Sequence, residues 1–266
     1  MAVRPRLTRR PRGIPLRAVV PNAITALALC SGLSGVRFAI VGEWERAVTM
    51  IVLAGVLDGL DGRVARMLRG ESRFGAELDS LADAISFGVS PALVLFLWSL
   101  TGLPRLGWIA ALMLAVFCAL RLARFNAQID ADEQPRKSAG FFTGVPAPAG
   151  AGLAMLPLIA WLWSGQPVLR SYWLVAPWVA FVAILMVSSV PTYSWKSFRL
   201  RRTVRFEAIA AVVVLAAALV TAPWPTLTVV SLLYLLAIPF SIAGYARIRR
   251  RAVGTAAPVP EQLPSA

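Results

Sequence analysis

Apolar runs close to twenty residues long recur along the whole chain, and this limits its fold before any motif is read. A helix of about twenty residues matches the hydrocarbon thickness of a bilayer, and lipid requires backbone polar groups to pair within their own segment. The mean hydropathy of +0.69 and the charged fraction of 15% belong to the same class. Spans are expected at 21–42, 45–68, 73–101, 106–128, 145–164, 172–190, 207–222 and 226–246. The expected fold class is therefore an all-α integral membrane protein of about eight transmembrane helices. In "TAPWPT" (221–226), prolines on both sides of Trp224 predict a tight interfacial turn rather than a kink in one long helix.

The charge pattern gives an orientation. Of the 27 Lys and Arg residues, all but Arg37, Arg46, Arg105 and Arg170 fall in segments on one side of such a topology. That asymmetry predicts cytoplasmic termini and an inner (cytoplasmic) membrane location. Anionic headgroups account for the net charge of +14, and no aromatic-and-basic module suggests a nucleic-acid partner. The basic head before an apolar stretch is similar to a signal peptide. However, bulky Leu29 precedes Cys30 and no small-x-small site follows, so a retained first span is expected. Cys30 and Cys118 stand alone in apolar segments, which argues against a disulfide framework or a thiolate zinc site. The organisation expected is a basic cytoplasmic arm (1–20), a six-helix membrane domain (21–206), two additional helices (207–246) and a basic, then disordered, cytoplasmic tail (247–266).

Against this background "DGLDGRVARMLRGESRFGAELDSLADAISFG" (58–88) is anomalous, because it places Asp58, Asp61, Asp79 and Asp83 among lipid-compatible neighbours. An intramembrane carboxylate costs several kcal/mol unless something compensates it. Asp58 and Asp61 are three residues apart and Asp79 and Asp83 four, so each pair shares a helix face. A short connection, with Gly70 as a breaker, lets the two helix ends lie side by side and the four carboxylates converge. Their charge requires neutralisation. Two divalent cations would supply it, and oxygen-only ligands favour Mg²⁺ or Mn²⁺ over zinc. Gly59, Gly62 and Gly75 would allow a bulky polar group close to the backbone, and Arg66 is placed for a phosphate contact. The plainer alternative is ion pairing of Asp79 or Asp83 with Arg63, Arg66 or Arg121, which would leave the intervening glycines without a purpose.

These positions carry a resemblance. Asp58-x2-Asp61-Gly62-x2-Ala65-Arg66-x8-Gly75-x3-Asp79-x3-Asp83 is similar, at every fixed position, to the signature of the CDP-alcohol phosphotransferase family. The resemblance implies an integral membrane enzyme, as a homodimer, that transfers a phosphatidyl-type group from a CDP-linked lipid to an alcohol and releases CMP. It implies that Asp58, Asp61, Asp79 and Asp83 are metal ligands, with Asp83 also the catalytic base. It implies that Asp58, Gly62, Ala65, Arg66 and Gly75 contribute to the CDP site.

The words "PNAITALALCSGLSG" (21–35), "SLADAISFGVSPA" (80–92), "ALRLARFN" (119–126), "FFTGVPAPAGA" (141–151) and "LMVSSVPTYSWK" (185–196) resemble the phosphatidylserine synthase branch. The substrates so implied are CDP-diacylglycerol and L-serine, within a setting of membrane lipids. A serine acceptor needs a donor for its carboxylate, and Arg121, Arg124, Asn126 and Lys137 lie at or beyond the inner end of the fourth span. Arg121 and Arg124 also fit a plain positive-inside end, and Pro146 with its neighbours fits the start of a helix. Two rival readings remain: a sister enzyme using glycerol 3-phosphate or an inositol phosphate, and a divalent-cation transporter with polar residues through the membrane's depth.

Overall fold

The computed structural model describes residues 16–130, 141–188, 191–193 and 205–255. Helices α1 (Leu16–Ile40) and α2 (Trp44–Met67) form an antiparallel hairpin closed at Gly42, whose φ of 78° suits glycine. Next come α3 (Arg73–Asp83), a π-helical turn (Ala84–Val89) and α4 (Ser90–Trp98), together one continuous apolar segment. The remaining helices are α5 (Pro104–Asp130), α6 (Ala147–Ala154), α7 (Leu156–Ser164), α8 (Tyr172–Val187), α9 (Arg205–Thr221) and α10 (Pro223–Thr255).

The architecture is helical, as expected. Among the described residues, four segments are long and apolar enough to cross a membrane: Val19–Ile40, Arg73–Trp98, Pro104–Ala127 and Pro223–Ile242. The α6–α7 pair, bent by 46°, makes a fifth if it counts as one span. Length and composition thus bear out four or five of the eight expected spans and do not confirm the others. α2 carries Asp58, Asp61, Arg63 and Arg66 in its last turns, and α8 is short. Helix α1 starts at Leu16, so residues 16–20 of the expected arm are helical, while 1–15 lie outside the described residues. Helix α10 runs on to Thr255, beyond the predicted end at 246, and the last residues of the expected tail lie outside the described set. The break at Ala222 separates α9 from α10, so "TAPWPT" joins two helices. One element was not expected: β1 (Phe141–Thr143) pairs antiparallel with β2 (Pro191–Tyr193), linking the segments before α6 and after α8.

The core lies among α4, α5, α6, α7 and α8, where Leu95, Trp98, Leu114, Leu153 and Val182 are buried. Helix α3 is turned the other way from a helix of a water-soluble protein. Its apolar Phe74 and Leu81 are 62% and 63% exposed, as lipid contact allows, while Asp79, Ala82 and Asp83 face inward. At the π turn, Pro91 has no N–H and its ring would crowd the carbonyl one turn earlier. The helix widens there, and the Ser90 N–H bonds to the Ile85 carbonyl instead. α1 approaches this turn so closely that a Cβ on Gly32 would lie 2.7 Å from Ser86 Oγ, which itself donates to the Ala28 carbonyl.

The end of α2 differs in detail from the expected glycine break. Arg69, not Gly70, takes the left-handed conformation, with φ of 48°. The Gly70 N–H bonds to the Ala65 carbonyl at 2.9 Å and the Arg69 N–H to the Arg66 carbonyl at 3.3 Å, the pairing of a Schellman cap. A non-glycine residue pays about 1 kcal/mol for that conformation. Replacing exposed Arg69 by glycine is therefore expected to raise the melting temperature of the detergent-solubilised protein, whereas Gly32→Leu is expected to lower it by overpacking α1 against the π turn. Thermal unfolding followed by circular dichroism reads both.

Candidate active site

The hairpin between α2 and α3 performs the juxtaposition that the spacing predicts. Asp58 and Asp61 sit in the last turns of α2, and Asp79 and Asp83 on the inward face of α3. Asp58, Asp61 and Asp79 each offer a carboxylate oxygen, and these oxygens all lie within 4.8 Å of one another. Asp83 lies just outside that triad, with its carboxyl against that of Asp58. Asp61 is buried and the other three are half-buried. Among the described residues the only ion pair is Arg46–Glu43, at the far end of α2. No direct salt bridge therefore joins the aspartates to Arg63, Arg66 or Arg121 among the described residues, although Arg121 is an electrostatic neighbour of Asp83. Three convergent carboxylates form a donor set that could hold a hard divalent ion.

Helix α1 supplies what the sequence reading missed. Thr25 Oγ1 donates to Asp61 Oδ2 at 2.5 Å, which orients the most buried carboxylate of the set. Asn22 lies one turn away, and a Cβ on Gly75 would sit 2.8 Å from its Oδ1. Gly75 is therefore required by the contact between α1 and α3 as well as by any ligand. The Ser72 side chain caps α3 by accepting from the Gly75 N–H at 3.0 Å. In the sequence Asn22 and Thr25 stand only within the word "PNAITALALCSGLSG", and no spacing rule connects Thr25 with Asp61, 36 residues further on.

Beside the triad is a cavity of about 340 Å³, within the usual range for small-molecule sites. Asp61, Gly62, Ala65, Arg66, Gly75 and Asp79 line it, with Asn22 and Thr25 from α1 and Ser72 and Ala76 from the start of α3. Nothing stands within 4 Å of where a Cβ would be on Gly59 or Gly62, so this edge of α2 is open. The N-terminal turn of α3 borders the cavity, and a helix N-terminus favours anions.

The residues considered for an acceptor separate. Arg121 is half-buried on α5, with the Asp83 carboxyl, the Cys118 thiol and the Tyr234 hydroxyl as its electrostatic neighbours. Its Nε is buried and has no hydrogen-bond partner among the described residues. Arg124 is exposed and donates to the Val187 carbonyl at the end of α8, at 2.7 Å. Asn126 Nδ2 donates to Ser80 Oγ at 2.8 Å, tying α5 to α3. Lys137 lies outside the described residues.

Comparison with known proteins agrees with this geometry. The model of the CDP-alcohol phosphatidyltransferase family matches residues 18–190, and that of CDP-alcohol phosphatidyltransferase 2 matches 204–239. A CDP-diacylglycerol–serine O-phosphatidyltransferase of Mycobacterium tuberculosis is 41% identical over 232 residues, covering 87% of this chain and 80% of that protein. The protein of the same name from Mycobacterium leprae is 42% identical over 240 residues, covering 89% and 79%. The one from Bacillus subtilis is 35% identical over 138 residues, covering 52% and 74%. The chain belongs to the CDP-alcohol phosphatidyltransferase family.

If the triad holds a cation, added Mn²⁺ should raise the melting temperature of the protein above its value in EDTA. Asp79→Asn should remove that shift, and Thr25→Val, which leaves Asp61 unoriented, should reduce it. Differential scanning fluorimetry in detergent measures all three.

Proposed function

We propose that this protein transfers the phosphatidyl group of CDP-diacylglycerol to the hydroxyl of L-serine, producing phosphatidylserine and CMP. The observation that carries the reading is the convergence of four carboxylates from two helix ends, none in a direct salt bridge among the described residues, beside a cavity of nucleotide-binding size. The names of the similar proteins support the choice of donor and acceptor.

Asp58, Asp61, Asp79 and Asp83 hold two divalent cations, Mg²⁺ or Mn²⁺. When bound, these neutralise the diphosphate and stabilise the departing CMP. Gly62, Ala65 and Gly75 leave room for the cytidine diphosphate against α2 and α3, and Asp58 borders it. Arg66 and the N-terminus of α3 contribute positive potential to the phosphates. Arg121 holds the serine carboxylate, within electrostatic reach of Asp83. In the reaction a bond forms between the serine hydroxyl oxygen and the lipid-linked phosphorus, and the bond from that phosphorus to the oxygen of CMP breaks. Asp83 takes the hydroxyl proton. The attack is direct, because the nucleophilic side chains at the cleft are the aspartates engaged as ligands.

The Lys and Arg distribution supports a site facing the cytoplasm, with both termini there and the protein in the inner membrane. The remaining helices, α2, α8 and α9 included, complete eight spans, of which the first six form the transferase domain. The family resemblance supports a homodimer.

A sister enzyme for glycerol 3-phosphate or an inositol phosphate would have to receive a dianion. Of the acceptor candidates described, Arg121 alone is half-buried beside Asp83, which suits a single carboxylate better. A cation transporter would need a polar path across the bilayer. Beyond Asp83 the buried positions of the segment include Ser86, Phe87, Ser90, Ala92, Val94, Leu95 and Trp98, and none of these carries a charge.

Purified protein given CDP-diacylglycerol and Mn²⁺ should release CMP with L-serine, and not with glycerol 3-phosphate or inositol phosphate. Asp83→Asn should reduce the rate by at least about a hundredfold, the scale of losing a general base. CMP release with a different acceptor would reassign the branch, and no release with any acceptor would remove the reading.

A further inference from the structure

The family resemblance gives no task to the C-terminal helix pair, yet one face of α10 reaches the neighbourhood of the aspartates. A second cavity, of about 350 Å³, begins at Gly55 and Val56, just before Asp58, and at Phe87, one turn after Asp83. Its walls are apolar except on the α10 side, where Ser231 and Tyr234 line it. The outward positions of the same helix, Leu233, Leu236 and Phe240, are 61%, 61% and 71% exposed, as a lipid-facing surface requires. Tyr234 is different: it packs against the core and its hydroxyl oxygen is buried.

Tyr234 of α10 thus shares a cavity wall with Phe87, one turn after Asp83, and Arg121 of α5 has both the Asp83 carboxyl and the Tyr234 hydroxyl within electrostatic reach. The buried Nε of Arg121 has no partner among the described residues, and a buried donor left in that state costs free energy that a ligand can recover. A carboxylate can accept from a guanidinium and a phenol together, whereas the apolar walls below offer it nothing. We infer that Tyr234 belongs to the acceptor site, where its hydroxyl and the Arg121 guanidinium together hold the carboxylate of the amino-acid acceptor while the acceptor's own hydroxyl lies at Asp83. The C-terminal helix pair then completes the active site and helps to select a carboxylate-bearing alcohol. The aromatic ring separates this polar subsite from the apolar cavity beneath. The inference rests on the serine-transferase reading proposed above.

Tyr234→Phe tests it in the full-length enzyme, because it removes the hydroxyl and keeps the ring. Initial rates are measured with L-serine and CDP-diacylglycerol varied separately, alongside wild type and Ser231→Ala. The KM for L-serine of Tyr234→Phe should rise about tenfold, the usual consequence of losing one hydrogen bond to a charged group, with the KM for CDP-diacylglycerol changed less than twofold. Melting temperature should be unchanged, and Ser231→Ala should resemble wild type. An unchanged KM for serine would overturn the inference, as would a rise in the donor's KM alone or a fall in kcat with both KM values unchanged. A wild-type enzyme that makes no phosphatidylserine would instead overturn the serine-transferase reading, and this inference with it.

Discussion

Negative charge held in an apolar protein has to be balanced, and here the chain brings four carboxylates together with Arg121 near Asp83 and no direct salt bridge among the described residues. The α2–α3 turn fixes how close they come: the Schellman cap at Arg69 and Gly70 ends one helix, and Ser72 starts the next two residues later. Thr25 then fixes Asp61 from the side of α1, and the contact between Asn22 and Gly75 holds α1 against α3. Without these contacts the carboxylates would repel one another out of register. With them, the protein has an acidic concavity that could hold hard cations.

This arrangement also accounts for the unusual helix that follows. Asp83 is immediately followed by the π turn, and Ser86 within it packs against Gly32 of α1. A wide turn shifts the rotation of everything downstream, so α4 can return to the apolar core while α3 keeps its acidic face inward. Gly88 packs against Cys118 on α5 in the same region, one turn before Arg121. The helix that carries the acids and the helix that carries the half-buried cation are therefore seated together by small side chains.

The local part of this design was legible in the sequence. Helical periodicity pairs Asp58 with Asp61 and Asp79 with Asp83, and apolar run lengths gave helix positions close to those observed. Contacts between distant segments were not legible. No pattern links Thr25 to Asp61, and the β1–β2 pairing joins short stretches of backbone that carry no alternation. The glycine expected to break α2 was one residue away from the left-handed position, because the cap uses the Gly70 N–H rather than its conformational freedom. Arg121 and Arg124, three residues apart, suggested a matched pair. Packing separates them, since α8 offers Arg124 the Val187 carbonyl while Arg121 is half-buried within electrostatic reach of Asp83. Hydropathy treated the C-terminal helices as accessory spans, and the inward face of α10 emerges only once the helices are packed.

The central claim is that the carboxylates of α2 and α3 form one metal-dependent diphosphate site. Crystals grown with Mn²⁺ and a CDP-linked lipid would test it most directly, by anomalous scattering at the manganese edge. The account predicts two manganese peaks among Asp58, Asp61, Asp79 and Asp83, with the diphosphate on them and the cytidine toward Gly62 and Gly75. Peaks elsewhere, or a diphosphate bound away from these aspartates, would contradict it.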